Sequence, residues 1–175
     1  STPRLRQPMD EVDEEYVTPI SFVGSSMRDN ARQQLNRLVD YVEHRSDGGD
    51  GWAALLDQIK QWKRTPPKWD EDTLSVIEQF LEERDLPLTV TIDEEPESIA
   101  MLIGEYRGYQ KRVSVVETIG DHYEIDVWGD RGWAEHVGKL GRYRGEAGHG
   151  EELTQIYNAS AINLDINRIY QPDIM

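Results

Sequence analysis

The sequence predicts an α+β protein: an N-terminal three-helix unit, then a small mixed α/β region with a β-hairpin, and extended arms at both termini. Three observations carry this expectation. Apolar residues recur at helical spacing between residues 26 and 85, the period shortens to two after Asp85, and prolines with clustered charge mark the first 24 residues. The division that follows is 1–24 as an N-terminal arm, 25–86 as the helical unit and 87–175 as the α+β region.

In chain order, Pro3, Pro8 and Pro19 break any helix before residue 24, and Asp10, Glu11, Asp13, Glu14 and Glu15 form a charged cluster. Ile20, Phe22 and Val23 are the apolar anchor of that arm. A first helix runs from about Ser26 to Arg45, with Met27, Ala31, Leu35, Leu38 and Val42 on one side and a serine to cap it. The run 46–51, Ser-Asp-Gly-Gly-Asp-Gly, ends it as a turn and lacks the alternating acids of a calcium loop. A second helix from Asp50 to about Lys63 carries Trp52, Leu55, Leu56, Ile59 and Trp62, and Pro66-Pro67 stops it. A third begins near Asp70, where three successive acids suit a helix N-terminus, and uses Leu74, Ile77 and Leu81.

Beyond Asp85, residues 88–92 alternate as a strand, 93–96 turn, and 97–106 read as a short helix. Two β-like runs, 112–119 and 122–128, flank Gly120-Asp121 and predict a hairpin. Residues 130–140 predict a helix with Trp133, Val137 and Leu140, and 141–150 a glycine-rich loop. A helix near 151–158 and a strand around 168–171 complete the expectation.

Composition excludes several classes of chemistry. The chain of 175 residues has no cysteine, which removes disulfide frameworks, cysteine-ligated metals and thiol nucleophiles. No apolar run approaches the roughly 20 residues that span a bilayer. Acidic residues outnumber basic ones 34 to 19, for a net charge of −15, so direct nucleic-acid binding is not expected. The imbalance lies in residues 1–100, with 22 acids and 11 bases; 101–150 hold eight and seven. Mean hydropathy is low, −0.71, but five Trp and eight Tyr supply core material that a disordered chain lacks. A start at Ser1 without an apolar leader points to a product made in a cytoplasm, the host's under the reading below.

No catalytic constellation is legible. His44, His122, His136 and His149 are not spaced to share a helix face or strand face, so no metal is expected. Tyr123–Val127 resembles the carboxylate strand of metal-dependent nucleases, but no Glu-x-Lys follows on a suitable strand. Lys139, Arg142 and Arg144 lie among glycines without the Gly-Lys-Ser/Thr of a phosphate loop, which favours contact with an acidic partner surface. No Gly-x-Ser-x-Gly element occurs. The expectation is a non-enzyme without cofactor.

The stretch LTVTIDEEPESIAMLIGEYRGY at 88–109 resembles the opening of a LysM module, with Ser98-Ile99-Ala100 in place of its helix-entry triplet. The stretch 152–175, with Asn158 and Ile169-Tyr170-Gln171-Pro172, is similar to that module's second half. Residues 110–151 separate the halves, and Asp93-Glu94-Glu95 replace the usual Gly-Asp turn. The resemblance implies either peptidoglycan or chitin binding or, with no secretion signal, a connector of the phage baseplate and tail type.

The functional expectation is therefore a structural subunit of a larger assembly, a phage tail, baseplate or head–tail junction protein, located in the virion. Its partners would be other protein subunits, with no membrane contact. Docking would use Ile20, Phe22 and Val23 at one end, Ile169, Tyr170 and Ile174 at the other, and Lys139, Arg142 and Arg144 between them. The alternative is an acidic mimic of DNA that inhibits a DNA-binding defence enzyme, motivated by the carboxylates of 69–97.

Overall fold

The structure, a computed structural model, describes residues 13–44, 49–68 and 70–167. Among these residues helix and strand are mixed, with five α-helices and six strands in two sheets. In chain order these are β1 (Thr18–Val23), α1 (Arg28–Glu43), α2 (Asp50–Arg64), α3 (Thr73–Glu82), β2 (Thr89–Ile92), β3 (Glu95–Ser98), α4 (Ile99–Gly120), β4 (Ile125–Trp128), β5 (Gly141–Gly145), α5 (Glu151–Ala159) and β6 (Ser160–Leu164). The three expected helices form, but a strand precedes them. None of the described helices is long and apolar enough to cross a membrane.

The chain divides into two compact units. Residues 27–114 build the helical one, with an apolar stripe on each of its first three helices. Ala31, Leu35, Leu38 and Val42 of α1, Trp52, Leu55 and Ile59 of α2, and Ile77 and Leu81 of α3 are buried at i, i+3, i+4 and i+7 spacings. Ile99, Leu102 and Ile103 from the first turns of α4 join the same core, with Val90 and Ile92 of β2. Each such side chain contributes about 1.5–3 kcal/mol by leaving water. Asp72 caps α3, accepting from the Ser75 backbone N–H at 3.3 Å and from its hydroxyl at 2.7 Å. Arg107, only 4% exposed, donates to the carbonyls of Trp62 and Thr65 and so satisfies the end of α2. Glu71 offsets its charge at 3.3 Å.

The other unit comprises the segment ending at Ser26 and residues 115–166. Its four strands run in the order β5-β4-β1-β6, and every neighbouring pair is parallel. Ile20 and Phe22 of β1 share one face with Ile125 and Val127 of β4, and Trp133 meets Phe22 edge-to-face at 5.2 Å. The α5 helix contacts β1 and β6. Residues 13–17 ahead of β1 hold a 3-10 turn, Glu14–Tyr16, capped by Asp13.

Residues 18–23 are not part of an arm: Thr18, Ile20 and Phe22 are buried, and Ile20, Ser21 and Phe22 are paired on both sides, as an interior strand requires. Residues 112–119 are not half of a hairpin but the continuation of α4. Their β-branched residues carry β-propensity, yet Tyr109, Val113 and Val116 continue the 3.6-residue repeat, and burial of that stripe outweighs propensity. Residues 130–140 form only the 3-10 turn Arg131–Trp133, and 141–145 are a strand rather than loop. The strand at 168–171 and the first half of the turn at 46–51 lie outside the described residues. The two stretches of the LysM resemblance become the β2–β3 hairpin with the start of α4, and α5 with β6.

Between β2 and β3 the loop is only Asp93-Glu94, with φ of 52° and 70°. Two positive φ values define the type I′ hairpin turn, whose second position favours glycine. Arg37 braces the hairpin, reaching Glu97 at 3.0 Å and Asp93 at 3.4 Å. Glu94→Gly should raise stability by about 0.5–1 kcal/mol, since the left-handed penalty exceeds the added freedom of the unfolded chain. An unchanged or lower urea midpoint would show that Glu94 bears no strain.

Candidate functional site

The carboxyl ends of β1 and β4 are joined by one carboxylate. After Val23 the chain makes a turn, Gly24-Ser25-Ser26; after Trp128 it makes Gly129-Asp130-Arg131-Gly132. Asp130 Oδ2 accepts from the Ser25 hydroxyl at 2.6 Å and from the Ser26 backbone N–H at 2.7 Å. Its Oδ1 accepts from the Ser26 hydroxyl at 2.6 Å and from the Gly132 N–H at 2.8 Å. Gly24 N–H donates to the Trp128 carbonyl at 2.9 Å, and Trp133 Nε1 donates to the Gly24 carbonyl at 2.8 Å. Tyr143 of β5 adds a bond to the Gly129 carbonyl at 3.1 Å.

The glycines follow from this closeness. A Cβ on Gly129 would stand 2.1 Å from the Gly24 carbonyl oxygen, and one on Gly132 would stand 2.1 Å from Ser26 Oγ. Only glycine admits the approach. Burial alone would raise the Asp130 carboxyl, but the Ser25 and Ser26 hydroxyls with the Gly132 and Ser26 N–H groups outweigh it and hold its pKa below the ordinary value.

A second polar array crosses the middle of the same sheet. Arg142 of β5, Asp126 of β4, Ser21 of β1 and Asn163 of β6 are in register and therefore on one face. Ser21 donates to Asn163 Oδ1 at 2.6 Å, and Arg142 Nε donates to Asp126 Oδ1 at 2.6 Å. Asp126 is 1% exposed, and Arg144 Nε lies 3.8 Å from its other oxygen. Two guanidiniums thus compensate one buried carboxylate, which would otherwise cost several kcal/mol. Arg144 also donates to the Glu15 carbonyl at 3.0 Å, tying down the segment before β1.

A cleft of about 420 Å³ lies where the chain enters β4 and β5, lined by Glu117, Asp121, Glu135, Val137 and Lys139. That is the amino end of these strands. His136 Nδ1 sits 2.7 Å from Glu117 Oε1 there. Among the described residues no group of three or more His, Asp and Glu could hold a metal ion.

The sequence-derived contact residues are thereby placed. Ile20 and Phe22 are buried in the sheet, and Val23 is half-buried at its carboxyl end, so the first two serve the core and are not free anchors. Arg142 and Arg144 point to Asp126, while Lys139 is exposed at the amino-end cleft. Ile169, Tyr170 and Ile174 lie outside the described residues. Sequence reading missed Ser25, Ser26 and Asp130. Their signal was a pair of glycine-containing turns, each directly after an apolar β-branched run, which is how a strand enters a polar edge.

No family model, curated protein or solved structure matches the chain.

A depressed folded pKa means that ionised Asp130 contributes its stability fully above the ordinary carboxyl value of 3.8 and loses it as pH falls through the folded value. The stability difference between the wild type and Asp130→Asn should therefore be full at neutral pH and shrink below pH 3.8. Urea unfolding of both proteins across acid pH checks this; a difference that stays constant would contradict it.

Proposed function

We propose that the parallel-sheet unit is a binding module for a nucleotide-type small molecule, seated over the carboxyl ends of β1 and β6. The supporting observation is the strand order β5-β4-β1-β6. From β1 the chain adds β4 and then β5 on one side, and returns to place β6 on the other. That is the order 3-2-1-4 of a mononucleotide-binding half-sheet, and the reversal beside the first strand opens a crevice at the carboxyl edge. Polar residues form the floor of that crevice. Ser25 after β1 and Asp165 after β6 are exposed at this edge, with Gly24 half-buried between strand and turn. The proposal assigns binding and no reaction.

Titration of isotope-labelled protein with ADP and with UDP tests it. The expected result is saturable amide shifts at Gly24, Ser25 and Asp165, with a dissociation constant of about 1 mM or tighter. Shifts confined to the amino-end cleft, or none with either nucleotide, would sink the proposal.

A second reading is the assembly subunit. It draws support from β6, an edge strand whose Ile162 is 54% exposed on the face that buries Ile20. Purification from the native context should then recover structural proteins at fixed stoichiometry, and Ile162→Lys should abolish that recovery. Recovery unaffected by the substitution would remove β6 as the contact.

A further inference from the structure

We infer that Asp130 is the positioning residue of the proposed carboxyl-edge site: it fixes the Gly24-Ser25-Ser26 turn in the one geometry that a ligand over β1 and β6 would meet. The inference rests on the nucleotide-binding reading above.

The turn has little to hold its shape by itself. It follows the last paired residue of β1, Val23, and opens on a glycine, which has no Cβ to restrict its backbone. Three of its polar groups, two hydroxyls and one backbone N–H, converge on the two oxygens of Asp130 at 2.6–2.7 Å. Charge-assisted bonds of this length are roughly twice as strong as neutral ones. Asp130 is itself oriented by the Gly132 N–H, and Trp133 Nε1 pins the Gly24 carbonyl from the next residue along. Both sides of the turn are thus fixed from a loop that is distant in sequence.

The chemistry also restricts how a ligand can use this turn. An anionic group of the ligand cannot take the Ser26 N–H and the two hydroxyls together, because a carboxylate already occupies that position. The turn therefore offers the ligand its shape and outer surface, while the internal anion keeps the donors in place. Loss of the carboxylate would free the turn to move relative to β6, and a ligand would then have to order that turn on binding, at a cost in affinity.

The experiment compares ADP and UDP dissociation constants for the wild type, Asp130→Asn, Ser26→Ala, Ser25→Ala and Arg142→Ala. Each is measured on protein whose amide spectrum is folded. Asp130→Asn should weaken binding about tenfold or more, because its amide group presents donors where Ser25 and Ser26 also donate. Ser25→Ala removes one exposed bond, keeps the fold, and should weaken binding by a smaller factor. Ser26→Ala combined with Asp130→Asn should be less than additive, since both act through one array. Arg142→Ala lowers stability through the separate mid-sheet array and should leave the dissociation constant unchanged.

If the wild type binds and all variants bind equally well, the positioning role is wrong while the nucleotide reading stands. If Arg142→Ala weakens binding as much as Asp130→Asn, the effect is general destabilisation and the positioning role is again wrong. If the wild type binds neither nucleotide, the nucleotide reading itself fails and this inference falls with it.

Discussion

The four bonds to Asp130 decide how the parallel sheet ends. β1 and β4 are adjacent in space but about a hundred residues apart in sequence: Ser25 and Asp130 are separated by 105 positions. Parallel ladders align two strands without stopping them, so the point at which both chains leave the sheet must be fixed by something else. Here it is a carboxylate that satisfies donors from both departing turns. The glycines at 129 and 132 are consequences of that contact, because any larger residue would push the two turns apart. Trp133 and Phe22 then close an apolar layer immediately beneath it.

The long separation has a further consequence for folding. The connection from β1 to β4 contains the helical unit, residues 27–114, whose apolar cluster draws on α1, α2, α3, β2 and the start of α4. Those contacts are local compared with the β1–β4 pairing. Closing so long a loop costs entropy only logarithmically in its length, and a compact insertion shortens the effective span. The sheet is therefore the high-contact-order part of the molecule, and its order of strands depends on capture of β1 late along the chain.

Two polar arrays in one small sheet carry different burdens. The array at the carboxyl edge is solvent-facing on one side, because Ser25 is exposed, and it fixes a turn. The array in the middle, Arg142–Asp126–Ser21–Asn163, lies where the sheet is dry enough to leave Ser21 and Asp126 at 0% and 1% exposure. A buried carboxylate there adds little net stability, but it penalises any register in which Asp126 does not face an arginine. That specificity suits a strand such as β5, which has glycines at both ends and few apolar contacts to set its register.

The amino-acid sequence determined the helical unit almost completely. Amphipathic stripes in α1, α2 and α3, the run of acids 70–72 before α3 and the diproline after α2 each act over a few residues, so local pattern suffices to place them. The tertiary structure alone decided that residues 18–23 are an interior strand, that 112–119 continue a helix, and that Arg142 and Arg144 reach the buried carboxylate of Asp126. For the strand and the helix the deciding term is burial, and for the arginines it is the charge of Asp126. A six-residue apolar run reads the same whether it anchors an arm or sits between two strands, and Asp130 reads as a surface acid until Ser25 and Ser26 are brought to it.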